Sequence, residues 1–437
     1  MKKIFLSSLA LVSCGAFVLG GGFGPKKCCE GCDCGDSAAV SGYAYDHAGN
    51  LLLNGEMLSE MTTFKNLQSY ASSADKAKKS EELNITSKSA LLLEANSGRI
   101  LFAKDADKQL PIASMVKITT LAVIYDAIEA GEITLDQMVM VSRNAGGMGG
   151  SQAFLDFDNE YMVDDLIKTI IIASANDSCV ALAETIAGSE SEFVDRMNAL
   201  AVKLGMNNTN YVNVTGLPAV GCYSTANDVA KVYSYLMKSP HYGKHEMVWM
   251  YDLQHPSGRT TGLTNTNKHA RFFDGCTGGK TGFTSESGHC LAVSASRGAL
   301  KPVAVVIGSP DSKTRFAETA DMMNHVFNGY KNELIVSKTE AMAEIKVKGA
   351  MVDRVELFAK DDFYDLVKKG EKGKPEIKIE VTDKIKAPFT GDEALGKVMV
   401  TREGKVVAEV ELVSRVEVKK LGYWGAVQKV VAKSKIS

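Results

Sequence analysis

Two hairpin patterns far apart in the chain constrain its architecture more than any other feature. Ala90–Leu93 and Arg99–Ala103 are short apolar runs joined by Ala95-Asn96-Ser97-Gly98. Cys290–Ser296 and Val303–Gly308 flank Arg297-Gly298-Ala299-Leu300 in the same way. Apolar runs of this length, bounded by Gly, Asn and Ser, read as antiparallel strand pairs. The stretch between them is helical in pattern. An apolar run opens near Ser114 and stops at Gly131. Met162–Ile172 is amphipathic, Asp177–Ala187 continues as a helix, and a Ser189/Glu192 capping box starts a third that Gly205 ends. Lys313–Phe327 has the spacing of a closing helix. The order strands, helices, strands, helix predicts an α+β fold in which early and late strands share one antiparallel sheet with flanking helices and a helical subdomain. Gly146-Gly147-Met148-Gly149-Gly150 reads as a flexible loop.

From about Glu340 the pattern changes to alternation. Ile345-Lys346-Val347, Ile377–Val381 and Val398–Arg402 each alternate apolar with polar residues, and Glu403-Gly404 turns the last into Val406–Leu412. This predicts a small all-β domain at 336–420 after a larger α+β domain at 87–335. The tail, 421–437, mixes Tyr423 and Trp424 with Lys429, Lys433 and Lys435. It reads either as an amphipathic helix on an anionic membrane surface or as a helix docked on the β domain.

At the other end, Lys2 and Lys3 precede a largely apolar Ile4–Leu19, the pattern of an export signal over 1–24. Leu11-Val12-Ser13-Cys14 resembles a lipoprotein cleavage box that would leave Cys14 lipidated; plain cleavage near Gly20–Gly24 is the alternative. Either reading places the mature chain outside the cytoplasm, in the periplasm or on the outer face of the membrane, anchored by a lipid or a helix or free. Residues 25–86 read as a Cys-rich segment and a solvated tether. Cys28, Cys29, Cys32 and Cys34 could hold a soft metal as thiolates or form disulfides, with no histidine at zinc-finger spacing. Cys179, Cys222, Cys276 and Cys290 read as buried free thiols. With 437 residues and a net charge of −2, the chain has no overall basic field for nucleic acid.

Three short motifs carry the chemistry. Ser114-Met115-Val116-Lys117 puts a hydroxyl and an amine one helical turn apart. A serine needs an adjacent base to act as a nucleophile, and a lysine shielded from water can supply one. Ser174-Ala175-Asn176 stands at a turn between two helical patterns, where side chains can reach a cleft. Lys280-Thr281-Gly282 follows Gly278-Gly279 and precedes the late hairpin, so it belongs at a strand edge. Each is unremarkable alone; Ser174 by itself would read as a helix cap and Lys280 as a surface residue. Together, in this order, 60 residues from Ser114 to Ser174 and 106 from Ser174 to Lys280, they have the arrangement of penicillin-recognising serine enzymes. His255, His269 and His289 lack partners at ligand spacing and read as surface or loop residues.

The chain resembles the D-alanyl-D-alanine carboxypeptidases among the low-molecular-weight penicillin-binding proteins, peptidase family S11, from about Ser87 to Tyr330 and more loosely through the β domain. Pro111–Lys117 is similar to that family's P-x-A-S-x-x-K, and Ser174-Ala175-Asn176-Asp177-Ser178 to its S-x-N-D-[AS]. Asp274–Thr284 resembles its D-G-x-K-T-G-[HF]-T with two extra residues before the lysine. Tyr223-Ser224-Thr225-Ala226 and Asn265-Thr266-Asn267 also fit. Cys222 and Phe283 stand where histidine is common, and Thr266 where some members have arginine.

The resemblance implies a penicillin-binding-protein/β-lactamase-like serine transpeptidase fold. It implies that Ser114 attacks the penultimate D-Ala carbonyl of a peptidoglycan stem peptide with Lys117 as base. Ser174 and Lys280 would relay a proton to the leaving D-Ala, whose carboxylate Lys280 and Thr281 hold beside Gly282. Backbone N–H groups of Ser114 and Phe283 would form the oxyanion hole. Asn176 would hold the substrate amide and orient Lys117. β-Lactams are the implied inhibitors, and no metal or organic cofactor is implied. The rivals are a β-lactamase, for which no second glutamate base is evident between Ser174 and Lys280, a D,D-endopeptidase, a transpeptidase, and an inactive peptidoglycan-binding protein, against which the intact Ser114, Lys117 and Lys280 argue.

Overall fold

A computed structural model describes residues 83–371, 373–382 and 384–434, together with 44–45 and 51–52. The export signal, Cys14, the cluster Cys28–Cys34 and the tether up to residue 82 otherwise lie outside the described residues.

The two hairpins meet in one sheet. Strands β1 (Ser89–Glu94) and β2 (Ile100–Lys104) join β3 (Cys276–Thr284), β4 (Gly288–Ala295) and β5 (Pro302–Ser309) in the antiparallel order β2-β1-β5-β4-β3. The long-range closure is β1 on β5, with Leu92 opposite Ala304. Both faces of this sheet are covered, which is why β1 and β5 are buried throughout and carry continuous apolar runs rather than alternating. Leu91, Leu93, Val303, Val305 and Ile307 face the helical subdomain. Ala90, Leu92, Ala304, Val306 and Val293 face the opposite core, filled by Met322, Met323 and Val326 of the closing helix.

That subdomain contains α1 (Lys117–Glu129), α2 (Val163–Ala173), α3 (Asn176–Ala187), α4 (Glu190–Lys203) and α5 (Ala226–Leu236); α6 (Ser312–Gly329) is the closing helix. Ser189 caps α4 as its capping pattern predicts, its Oγ accepting from Glu192 N–H at 3.2 Å. Helix α5 is capped by Thr225, which accepts from Asp228 N–H at 3.0 Å. The glycine-rich loop is less free than its composition suggests: Arg143–Gly146 forms one helical turn capped by Ser142, and only Gly150 in it has a positive φ. The histidine reading is corrected for two residues. His255 and His269 are 4% and 6% exposed, because each is drawn inward by hydroxyl partners. His255 bonds Tyr161 Oη and Thr261 Oγ1, both at 2.7 Å. His269 bonds Thr319 Oγ1 at 2.9 Å between the edges of Phe273 and Phe316, and burial lowers its pKa to about 4.

After α6 the chain enters β6 (Tyr330–Val336), which pairs with β9 (Phe363–Lys368). The strands β7 (Ala341–Lys348), β8 (Arg354–Ala359), β10 (Glu376–Val381), β11 (Lys384–Lys386), β12 (Gly396–Arg402) and β13 (Lys405–Val413) form a second sheet in the order β10-β12-β13-β8-β7-β11. Its core holds Ile345, Leu357, Phe389, Val398 and Leu412. The tail is helical from Tyr423 to Ser434 (α7). Lys429 Nζ donates to Ala350 O at 2.6 Å and pairs with Asp353 at 2.6 Å, while Tyr423 and Trp424 stay exposed. No helix among the described residues is long and apolar enough to cross a membrane.

Candidate active site

Ser114 lies in a single 3-10 turn, Ala113–Val116, from which α1 begins at Lys117. This junction sets the pair: Lys117 Nζ donates to Ser114 Oγ at 3.0 Å and also to Thr215 O. Lys117 is fully buried. Burial disfavours the ammonium and lowers its pKa to about 8, while Cys179 and Asp177 pull it back up. The turn itself is held open by glycines. A Cβ on Gly216, whose φ is +76°, would lie 2.0 Å from Ala113 O. A Cβ on Gly282 would lie 2.7 Å from Ile112 O and 3.2 Å from Ser114 N. Only glycine lets β3 approach the serine turn this closely.

Across the cleft, Lys280 Nζ donates to Ser174 Oγ at 2.8 Å and to Thr281 O at 3.0 Å. Burial, then the positive Lys117, hold the Lys280 pKa well below its ordinary value. Ser174 ends α2 in the left-handed conformation, φ +63° and ψ +34°, which aims its side chain away from the helix axis toward β3. Thr281 Oγ1 donates to Thr266 Oγ1 at 2.9 Å, and Thr266 N–H is tied to Ile172 O at 3.0 Å. The five side chains Ser114, Lys117, Ser174, Lys280 and Thr281 thus come from four elements, the 3-10 turn, α1, the end of α2 and β3, and the charge of Lys117 acts on Lys280.

Asn176 begins α3 and donates from Nδ2 to Gly149 O at 2.7 Å; its Oδ1 is buried without a partner. No hydrogen bond joins it to Lys117 among the described residues; the lysine's partners there are Ser114 Oγ and Thr215 O. Asp177 accepts from Ala153, Leu155 and Ser178 N–H groups at 3.0 to 3.1 Å, fixing the loop beside the cleft. Phe283 is 58% exposed and stacks on His289 with ring centroids 4.3 Å apart. β3 is the edge strand of its sheet, so a peptide has backbone groups to pair with there.

Sequence reasoning missed Arg315. It sits on α6, 8% exposed, and its Nη1 donates to Gly282 O at 3.0 Å and Cys290 O at 3.2 Å, with Nε unpartnered. It therefore places a buried cation directly behind Thr281-Gly282. Its only sequence signal was an arginine on the side of the closing helix that also buries Met322, Met323 and Val326. Thr215 escaped notice because it acts through a backbone carbonyl.

Two hydroxyl–amine pairs facing one another beside an antiparallel edge strand define a serine acyl-transfer enzyme of the penicillin-recognising fold. A family model described as D-alanyl-D-alanine carboxypeptidase matches residues 75–311, and one described as penicillin-binding protein 5, C-terminal domain, matches 330–420. The chain is 37% identical over 349 residues to D-alanyl-D-alanine carboxypeptidase DacF of Bacillus subtilis, spanning 79% of this chain and 89% of that one. Among solved structures it is similar to penicillin binding protein 5 of Haemophilus influenzae, with a TM-score of 0.66, 28% identity, and coverage of 77% and 98%. A peptidoglycan synthesis regulatory factor of Streptococcus pneumoniae gives a TM-score of 0.64 at 26% identity, with coverage of 77% and 100%. The chain belongs to the D-alanyl-D-alanine carboxypeptidase family of serine peptidases, S11.

Proposed function

We propose that this serine-type D-Ala-D-Ala carboxypeptidase removes the terminal D-alanine of peptidoglycan stem pentapeptides through an acyl-enzyme on Ser114. Lys117, whose burial keeps a fraction of the amine neutral near pH 7, takes the Ser114 proton as Oγ attacks the penultimate D-Ala carbonyl. The N–H groups of Ser114 and Phe283 receive the developing oxyanion. The C–N bond breaks, and the Ser174–Lys280 pair returns a proton to the leaving amine. Lys280 and Thr281, with Arg315 behind them, offset the leaving residue's carboxylate, and Asn176 Oδ1 accepts from a substrate amide. Water then cleaves the ester and frees Ser114. β-Lactams, which present a carbonyl and a carboxylate at similar separation, acylate the same serine.

The observation that carries this reading is the double pairing: Lys117 on Ser114 at 3.0 Å and Lys280 on Ser174 at 2.8 Å, with both amines buried. Catalysis occupies 87–335, and the β domain at 336–420 sets it apart from a bare acyl-transfer module. The chain works outside the cytoplasm on the cell wall, and α7 with its exposed Tyr423 and Trp424 is suited to lie on a membrane surface. The test is fluorescent-penicillin labelling together with D-Ala release from a pentapeptide mimic. Wild type is expected to do both and Ser114→Ala neither. Labelling without D-Ala release would replace the carboxypeptidase reading with that of a binder or an endopeptidase, and no labelling would overturn the site.

A further inference from the structure

The sheet of the small β domain runs β10-β12-β13-β8-β7-β11, and its two ends differ. The β11 end is blunted as an edge strand usually is: it has three residues, Lys384–Lys386, with lysine at both ends. β10, at the opposite end, is longer and regular. It pairs with β12 over six consecutive residues, from Glu376 opposite Thr401 to Val381 opposite Gly396, without a bulge. As the terminal strand of its sheet, it leaves its outer backbone edge unpaired among the described residues. Ile377 stands opposite Val400 and Ile379 opposite Val398, and both valines are fully buried. Directly opposed residues share a face, so the two isoleucines extend the row of core side chains onto the edge. There they are 45% and 39% exposed. The other face of β10 carries Glu376, Lys378 and Glu380, with Lys378 Nζ 2.8 Å from Glu380 Oε1.

We propose that β10 is a self-association surface: two copies of this chain join antiparallel through their β10 edges, with Ile379 on the twofold axis. In such a pair the numbers of opposed residues have a constant sum. Centring on Ile379 sets Ile377 opposite Val381 and Lys378 opposite Glu380, each twice by symmetry. The apolar row then runs on from one sheet into the other, and each Lys378 meets a carboxylate of the partner copy. The neighbouring registers fail on their own residues. Centring on Lys378 sets that lysine against itself and Glu376 against Glu380, and centring on Glu380 sets that carboxylate against itself. Centring on Ile377 brings Pro375 opposite Ile379, where the missing N–H interrupts the ladder. A slip of one residue mixes isoleucine with charge on one face. One register is left, so the edge is complementary to a second copy of itself. A single strand from each copy buries less than a standard stable interface, which makes the pairing reversible and dependent on concentration. β3, the edge strand beside Ser114, belongs to the other sheet and remains free.

Sedimentation velocity of the full chain over about a hundredfold range of concentration is the test. Wild type is expected to pass from monomer to dimer. Lys378→Glu and Glu380→Lys each set like charges opposite one another twice, and each should weaken the dimer at least about tenfold. The double variant Lys378→Glu/Glu380→Lys exchanges both partners and should restore it. Fluorescent-penicillin acylation, expected to be the same in all four proteins, checks that each is folded. The register has its own readout. Ile379→Cys should form a disulfide-linked dimer in air, because a residue on the axis faces itself at disulfide distance. Ile377→Cys faces Val381 instead and should not exceed the level that the chain's own cysteines give in wild type. A wild type that stays monomeric throughout overturns the proposal. So does a dimer that neither reversal weakens, one that the double variant fails to restore, or equal cross-linking by the two cysteine variants, since association then runs through another surface or register.

Discussion

The chemistry at residue scale depends on an amine kept partly neutral near physiological pH. Lys117 has an ordinary pKa of 10.5 and is brought to about 8 chiefly by burial. A general base acts in its neutral form, and the neutral fraction of a lysine rises with pH. Acylation should therefore climb about tenfold per unit below pH 8 and level off above it. Penicillin acylation rates measured from pH 6 to 9.5 test this, and a profile flat over that range would exclude Lys117 as the base. The residues named in the proposed site were legible because their types and order carry the signal: a serine and a lysine three apart, a serine before an asparagine, a lysine before a threonine and glycine. Thr215 and Arg315 were not legible, because one contributes a backbone carbonyl and the other is a cation whose burial only the fold reveals.

At the scale of elements, the turn between α2 and α3 is where stability and function oppose one another. Ser174 occupies left-handed backbone space, which costs a residue with a Cβ about 1 kcal/mol relative to glycine. Ser174→Ala and Ser174→Gly both remove the hydroxyl that accepts from Lys280, so both should lose D-Ala release to a similar extent. They should differ in stability, with the glycine variant more stable than the alanine variant by about 1 kcal/mol in urea denaturation. Equal stabilities would mean that the turn relaxes once the hydroxyl is gone. A second element-scale expectation concerns Gly282. Alanine there would push β3 off the Ser114 turn, because Ile112 O stands 2.7 Å from the new Cβ and is backbone rather than a movable side chain. Gly282→Ala should fold yet acylate with penicillin at least about tenfold more slowly, if a misplacement of an ångström is as damaging as near-attack geometry requires. Helices with clear caps and periodicity were legible, as were both hairpins of the central sheet. Strands β6 and β9 were not, because their burial comes from long-range pairing rather than from local alternation; β8 was missed although its burial alternates along the strand.

For the whole molecule, the central sheet is a wall between two cores with different tasks. One face backs the helical subdomain and Lys117's helix; the other holds α6 and, through it, Arg315. The second core is not closed by the first 330 residues. Leu366 of β9, 1% exposed, packs in it with Leu92, Met322 and Val326, and Arg99 donates from Nη1 to Leu366 O. The β6–β9 pair therefore seals the back of the catalytic sheet while its neighbours build a separate core around Leu357 and Val398. It follows that the β domain is an energetic part of the enzyme and not a detachable appendage. Leu366→Ala removes a buried side chain from the shared core and should destabilise the chain by about 3 kcal/mol. The unfolding transition of the penicillin-acylated protein is the sensitive readout, because the acyl group reports on the catalytic sheet. Its midpoint should fall in Leu366→Ala, while acylation at 25 °C stays near wild type because the cavity opens on the far face of the sheet from Ser114. A midpoint unchanged in the acylated protein would show that the β6–β9 pair unfolds on its own and contributes nothing to the sheet that carries the site.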